Sequence, residues 1–186
     1  MKRLVIITVG KTHSGKTIFA KSLEQQLNNS LVIDQDNHAE FINTFYKTLL
    51  PKQGPNTIKY AITQTIVDYA VNRTNLHLIL CNSNRSRKYR LDLLSHFHNK
   101  GFISILVNFD IPEHILQGRV VNSHRSTTIF RSASTFEEVL NRQQVGSLKS
   151  DVKAPIDGEA DHLFEIKNSD GAQPVTRIIV NIYQNL

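Results

Sequence analysis

The feature that most constrains this chain is a short glycine-bearing loop near its beginning. Residues Gly10–Thr17 match the pattern G-x-x-x-x-G-K-[ST], which arises by chance in roughly 1 of 150 chains of this length. Its glycines let backbone N–H groups turn inward around phosphate, its lysine neutralises the β- and γ-phosphates, and its hydroxyl coordinates Mg²⁺. This P-loop predicts a site for ATP and Mg²⁺ made of Gly10, Lys11, Thr12, His13, Ser14, Gly15, Lys16 and Thr17.

The residues around the loop predict the fold class. Leu4–Val9 is a continuous β-branched run, typical of a strand buried on both faces, and Thr17–Leu27 has apolar residues at helical spacing. Further strands are expected at Leu31–Asp34, Leu76–Cys81, Phe102–Phe109 and His162–Lys167. Further helices are expected at His38–Leu50, Asn56–Arg73, Ser86–Asn99, Pro112–Ser123, Thr135–Gln144 and Pro174–Gln184. This alternation predicts an α/β chain with a parallel sheet between two helical layers, and the length predicts one domain over 1–186.

Two aspartates follow the second expected strand. Because ligands of open α/β sheets lie beyond the carboxyl ends of the strands, Asp34 and Asp36 are expected to face the same crevice as the P-loop. Asp36 is predicted to be the catalytic group that takes a proton from an acceptor hydroxyl, and Asp34 to hold Mg²⁺ together with Thr17. A simple helix cap at Asp36 or Asn37 is the alternative interpretation.

The third expected strand ends in polar residues but no acid. Cys81, Asn82 and Asn84 stand where P-loop proteins commonly carry a magnesium-binding carboxylate. Asn84 is predicted to orient the substrate or the P-loop through its amide, with an ordinary turn as the alternative. Cys81 is predicted to be a small buried apolar residue rather than a nucleophile.

Arginines open the next expected helix. Arg85, Arg87 and Arg90 lie where the helix dipole disfavours positive charge, which indicates a nearby anion. For Arg85 and Arg87, a solvated helix face is the simpler interpretation.

A second group of arginines lies in and around Ser126–Ser134, which is polar and lacks a clear period, within the wider segment 119–134. This segment is predicted to be a mobile lid that closes over ATP. Arg119 and Arg125 are predicted to stabilise charge on the transferring phosphoryl group, whereas Arg131 fits a plain surface position.

Composition narrows the class only slightly. A formal charge of +6 favours anionic partners, yet there is no lysine block and no RNA-binding motif, so a nucleic-acid partner is possible but unsupported. One cysteine excludes a disulfide framework and predicts a reducing, cytoplasmic setting. The apolar runs are too short to span a bilayer, and the first is interpreted as a buried strand rather than a signal peptide.

These motifs resemble the small P-loop kinases grouped with polynucleotide 5′-kinase and zeta toxin, within the adenylate-kinase-like fold. GKTHSGKT is the most specific element, and in VIDQDN the residue Asp36 falls on the family's catalytic acid. CNSNRSRKYR is similar to a D-[ST]-N stretch followed by an arginine, here Arg90. The resemblance also covers Gln144, Pro155 and Glu159.

The resemblance implies a three-layer P-loop fold with a five-stranded parallel sheet in the order 2-3-1-4-5. It also implies that Asp36, Asn84 and Arg90 contact the acceptor. Two positions depart from the family's pattern: Ala39 replaces an arginine that often grips the acceptor, and Asn82 replaces an aspartate.

The sequence as a whole predicts an ATP-dependent kinase that moves the γ-phosphoryl group to a hydroxyl of a small molecule or nucleotide. The acceptor is expected to contact Asp36 and the helices within 38–73. Two alternatives stay open. Asn82 favours a regulatory ATPase or nucleotide switch without an acceptor, and the positive charge favours a kinase of 5′-hydroxyl polynucleotides.

Overall fold

The fold is built on one sheet of five parallel strands. The computed structural model describes residues 2–186. The strands are β1 Arg3–Gly10, β2 Ser30–Asp34, β3 His77–Cys81, β4 Phe102–Phe109 and β5 His162–Ile166. Their spatial order is β2-β3-β1-β4-β5, and every pairing is parallel. The predicted order 2-3-1-4-5 is therefore confirmed.

Within the described residues 2–186, seven α-helices connect and follow these strands. They are α1 Lys16–Gln26, α2 Gln35–Phe45, α3 Thr57–Arg73, α4 Arg87–His98, α5 Glu113–Val121, α6 Phe136–Gly146 and α7 Ala172–Gln184. Single 3-10 turns occur at 47–49, 127–129 and 169–171. Within residues 2–186, every helix is too short or too polar to cross a membrane.

The central strands are buried on both faces because helices cover both sides of the sheet. Leu4 and Ile6 of β1 pack with α1, α5, α6 and α7, while the intervening Val5 and Ile7 pack with α3 and α4. Successive side chains of a strand point to opposite faces, so a strand between two helical layers must be apolar throughout. This explains the unbroken apolar run that the sequence shows at the start of the chain.

The bounds predicted for the second helix were wrong. The sequence predicted His38–Leu50, but α2 begins at Gln35 and ends at Phe45. The helix begins earlier because the Asp34 side chain caps it, accepting a hydrogen bond from the backbone N–H of Asp36 at 2.9 Å. The alternative caps, Asp36 and Asn37, lie inside the helix instead.

The turn from β1 into the P-loop depends on a glycine. Gly10 has φ of +150°, and a Cβ there would lie 3.0 Å from both Cβ and the carbonyl oxygen of Phe109 on the neighbouring strand. A side chain at this position would therefore meet a strained backbone and a clash together. This turn brings the loop to the carboxyl edge of the sheet, beside the ends of β2 and β3.

Candidate functional site

The P-loop forms a concave cradle between β1 and the first turn of α1. Gly15 and His13 both have positive φ, 100° and 58° respectively, and such conformations turn backbone N–H groups inward. The Lys16 ammonium donates to the Lys11 carbonyl and, at 3.1 Å, to the Ser14 hydroxyl, so it lies within the loop. The loop thus combines a helix N-terminus with a confined cation, which is a suitable arrangement for a polyphosphate.

The environment of Lys16 lowers the pKa of its ammonium group. Burial is the main cause that lowers its pKa to about 8, and Arg125 lowers it further. Cys81, Asp36 and Asp34 act in the opposite direction. A bound polyphosphate would favour the charged form, so the pKa should rise on binding.

Because protonation of Lys16 and binding of polyphosphate favour each other, we predict that nucleotide affinity depends on pH. Above pH 8 the free protein loses the Lys16 proton and must recover it on binding, so affinity for ATP–Mg²⁺ should fall by up to about tenfold per pH unit. Below pH 8 this contribution is fully present. Calorimetric titration of a non-hydrolysable ATP analogue between pH 7 and 9.5 measures the slope. The Lys16→Arg variant, whose charge persists, should have a flatter profile, and equal slopes in both proteins would contradict the assignment.

Thr17 and Asp34 meet at the end of β2. The Thr17 hydroxyl donates to Asp34 Oδ2 at 3.1 Å, and Asp34 is only 5% exposed. A hydroxyl and a carboxylate are the hard oxygen ligands that Mg²⁺ prefers, usually completed by water and phosphate. The donor set therefore fits Mg²⁺ bound together with a nucleotide. Within residues 2–186 there is no group of three or more His, Cys, Asp or Glu arranged to hold a metal without such help.

Cys81 lies beside Thr17 and Asp34, but its thiol is unreactive. Its thiol is buried and lies 3.6 Å from the Thr17 hydroxyl. Burial, with Asp34 as the next cause, raises the pKa of the thiol to about 12. A thiol that stays protonated is a poor nucleophile, which agrees with the prediction of a small buried apolar residue.

Asp36 lies across the cleft from the P-loop, within reach of the lid. Arg125 donates to Asp36 Oδ2 at 3.0 Å, and both side chains are half-exposed. The Arg125 guanidinium also lies 5.1 Å from the centre of the Phe136 ring. The predicted base and one predicted lid arginine are thus brought together, although 89 positions separate them in the chain.

The segment 119–134, which the sequence predicts to be a lid, lies against α2. Asn43 of α2 donates to the carbonyls of Thr128 and Phe130, at 2.6 and 3.0 Å. Arg131, which the sequence assigned to a plain surface position, donates to the carbonyls of Pro51 and Gly54 beyond α2. These bonds tie the segment 119–134 to α2 and to the turns that follow α2.

Arg119 supports the P-loop. It donates to the carbonyl of His13 at 3.1 Å and to the Ser169 hydroxyl at 3.0 Å. His13 Nε2 lies 2.8 Å from the Ser123 hydroxyl, and its ring packs edge-on against Phe136. Burial, then the charges of Arg125, Lys16 and Arg119, lower the pKa of His13 to about 4, so its ring is neutral near pH 7. His13 therefore links the P-loop to the lid without adding charge.

One large cleft unites these groups. Its volume is about 940 Å³, and the P-loop, Asp34, Asp36, Arg119 and Arg125 all line it. Its apolar walls come from Phe109, Ile129, Phe130, Phe136 and Val139. A cleft that combines charged groups with apolar walls suits a nucleotide, whose phosphates and base need different environments.

Gln143 is a P-loop contact that sequence reasoning missed. Its Oε1 accepts a hydrogen bond from the Thr12 backbone N–H at 2.7 Å. The resemblance pointed instead to Gln144, whose Nε2 is buried and has no hydrogen-bond partner among residues 2–186. Adjacent glutamines on a helix face different directions, and only the orientation of α6 decides which one reaches the loop.

Two residues predicted to touch the acceptor lie inside the fold. Arg90 is fully buried, and its Nε donates to Glu159 Oε2 at 2.8 Å. Asn84 is 5% exposed and donates to the Thr8 carbonyl at 2.9 Å, which ties the end of β3 to β1. The anion indicated by the arginines of α4 is thus Glu159, which also accepts from Arg87 at 3.1 Å. Arg85 contacts the Ser147 hydroxyl.

Comparison with known proteins supports the fold and the P-loop. A protein-family model described as an AAA domain matches residues 5–145. Searching the curated proteins gave no significant match.

Among solved structures, the chain is similar to a putative kinase from Chloroflexus aurantiacus J-10-fl, with a TM-score of 0.65, 16% identity and coverage of 100% of this chain and 98% of that one. It is also similar to Kti12 of Chaetomium thermophilum bound to ADP-AlF3, with a TM-score of 0.63, 16% identity and coverage of 95% and 97%. A sugar kinase from Janibacter sp. HTCC2649 has a TM-score of 0.59, 17% identity and coverage of 97% and 94%. These likenesses establish a P-loop kinase-like fold.

Proposed function

Because the chain belongs to the AAA domain family, we propose that it is a phosphotransferase that moves the γ-phosphoryl group of ATP to a hydroxyl of an acceptor molecule. The observation that carries the proposal is the Asp36 carboxylate, held by Arg125 at 3.0 Å on the wall of the P-loop cleft. A switch protein that only binds nucleotide has no need of a proton acceptor there. Two of the structural neighbours are described as kinases, which supports the same class.

The chemistry follows from the side chains around the cleft. Asp36 takes the proton of the acceptor hydroxyl as a bond forms between that oxygen and the γ-phosphorus, while the bond to the bridging oxygen breaks and ADP leaves. Lys16, Arg119 and Arg125 offset the negative charge on the phosphates. Mg²⁺ held by Thr17 and Asp34 would supply further charge neutralisation. Closure of the lid over α2 excludes water that would otherwise compete with the acceptor.

A regulatory ATPase without an acceptor is the second candidate. Asn82 favours it, because the end of β3 then lacks a magnesium-binding acid. Asp34 weakens this argument, since its carboxylate already contacts the Thr17 hydroxyl from the neighbouring strand. The two candidates differ in whether an acceptor accelerates ADP formation.

A turnover assay separates these candidates. ADP formation with Mg²⁺ is measured in the presence of sugars, nucleosides, hydroxylated antibiotics and 5′-hydroxyl oligonucleotides, one at a time. At least one compound should accelerate ADP formation more than about tenfold, because acceptor binding completes closure. The same compound should gain a phosphoryl group detectable by mass. Slow hydrolysis that every compound leaves unchanged would favour the regulatory ATPase.

A further inference from the structure

A second cavity adjoins the nucleotide cleft, with which it shares Cys81 and Asn82. It has a volume of about 220 Å³ and lies between α3, α4 and the carboxyl ends of β2 and β3. Its apolar floor comes from Ile33, Val67, Leu80 and Leu93. The volume equals about seven waters at roughly 30 Å³ each, which is the size of a sugar ring rather than of a nucleotide.

Two of the residues that line this cavity carry unpartnered polar atoms. Gln35 is only 6% exposed, and its Oε1 is buried with no hydrogen-bond partner within the described chain. His96 contributes a buried Nε2 that also has no partner there. Buried polar atoms are normally paired, and orphans in a cavity wall indicate a ligand that supplies the missing bonds. The two orphans, an amide oxygen and a ring nitrogen, can serve hydroxyl groups, which both donate and accept.

The charge of the cavity restricts its ligand. Among residues 2–186, no lysine or arginine lines it, and its one carboxylate is that of Asp92, which is exposed. The remaining polar groups are amides, hydroxyls, the Cys81 thiol and the His96 ring; Thr63 and Asn84 are among the residues that contribute them. A phosphate would enter without a lysine or arginine to replace its hydration and would face the like charge of Asp92. The cavity is therefore unsuited to a phosphorylated molecule.

The cavity borders the transfer site. Cys81 and Asn82 line both the cavity and the nucleotide cleft. Gln35 lines the cavity while the next residue, Asp36, lines the cleft. A ring that occupies the cavity would thus lie beside the proposed base.

We infer that the acceptor is a small polyhydroxylated molecule without phosphate, whose ring occupies the second cavity and bonds to Gln35 and His96. The inference rests on the proposed function for the direction of transfer, but the binding site stands on its own residues. The inference argues against a polynucleotide acceptor. Its backbone phosphates would have to pass the Asp92 carboxylate, and no lysine or arginine among residues 2–186 lines the cavity to offset their charge.

Paired probes test this inference. Glucose, glucosamine, glucose 6-phosphate and a 5′-hydroxyl dinucleotide are titrated calorimetrically into the protein saturated with a non-hydrolysable ATP analogue. The Gln35→Leu variant removes the orphaned amide at similar volume, so it should fold with an unchanged or higher Tm. Its affinity for the sugar that binds the wild type should fall at least about tenfold. Gln25→Leu, on the exposed face of α1, is the matched control and should bind like the wild type.

The outcomes separate the inference from the proposed function. Binding of an unphosphorylated sugar that Gln35→Leu weakens supports the inference, even if no phosphoryl transfer follows and the kinase proposal fails. Tighter binding of glucose 6-phosphate or the dinucleotide than of the plain sugars would overturn the inference while leaving a kinase possible. Absence of binding by all four probes, with the ATP analogue bound, would also overturn it.

Discussion

Replacement of Asp36 by asparagine is expected to lower kcat by about 10²–10⁴-fold, the usual contribution of a positioned general base. The substitution keeps the size of the side chain and one oxygen that can accept from Arg125, but it removes the group that binds the acceptor proton. ATP affinity should change little, because the P-loop and not Asp36 holds the phosphates. Single-turnover measurement with a saturating acceptor separates the chemical step from binding.

The variant needs a control for the loss of charge beside Arg125. Glu40→Gln on the exposed part of α2 removes a carboxylate from the same helix and should leave kcat within about twofold. The Arg125→Gln variant and the variant that carries both Asp36→Asn and Arg125→Gln complete a double-mutant cycle. If Asp36 acts only by positioning Arg125, the double variant should be no slower than Arg125→Gln alone. A loss smaller than about threefold in Asp36→Asn would refute its role as the base.

Removal of Arg90 is expected to cause the largest loss of stability, about 3–5 kcal/mol in the free energy of unfolding. The Arg90→Met variant leaves the Glu159 carboxylate in the interior without its main partner. In the native protein the Arg90 guanidinium is fully buried and makes two bonds to Glu159, at 2.8 and 3.2 Å. Urea denaturation at pH 7 measures the loss.

Two further variants identify the cause of that loss. Arg90→Met combined with Glu159→Leu should recover most of the stability, because no charge is then left unpaired. Arg87→Met should cost less than about 1 kcal/mol, since the Arg87 side chain is 43% exposed. If the double variant is as unstable as Arg90→Met, packing of the arginine stem and not charge is responsible.

The pH dependence gives an independent check of the same pair. Burial opposes ionisation of Glu159, but hydrogen bonds and charge from Arg90 and Arg87 hold its pKa below the usual value. The pair therefore stabilises the native state above the ordinary pKa of a glutamate, and this contribution is lost as pH falls through the lowered pKa. The difference in stability between the native protein and Arg90→Met should accordingly shrink at acid pH.

Local sequence patterns predicted the main secondary-structure elements and the P-loop of this protein. Strand β1 was visible because a parallel strand between two helical layers must be apolar at every position, and the P-loop because its glycines and lysine occur at invariant spacing. Capping is local at α6, where Thr135 accepts a hydrogen bond from the Glu138 backbone N–H at 3.2 Å, and the helix start predicted at Thr135 lies one residue from the observed one. It was misjudged at α2, where the side chain of a strand residue, Asp34, caps the helix.

The roles of the charged residues were less predictable, because charged residues do not follow the helix or strand repeat that reveals buried apolar positions. Arg90 resembled a substrate-binding arginine, and nothing within α4 indicates that Glu159, 69 positions away, reaches it inside the fold. The same holds for Gln143, whose choice over Gln144 depends on how α6 packs beside the P-loop.

The sequence by itself determined the phosphate cradle, the parallel sheet and the placement of Asp34 and Asp36 at its carboxyl edge. These features follow from short-range rules: dihedral freedom at glycine, apolar periodicity, and the direction of parallel strands. Only the tertiary structure decided that Arg125 meets Asp36, that Arg90 is buried with Glu159, and that Gln35 lines a second cavity without a cation. Those pairings depend on how segments distant in sequence pack together. The free energy of that packing is summed over the whole core, so it cannot be read from any one segment of the sequence.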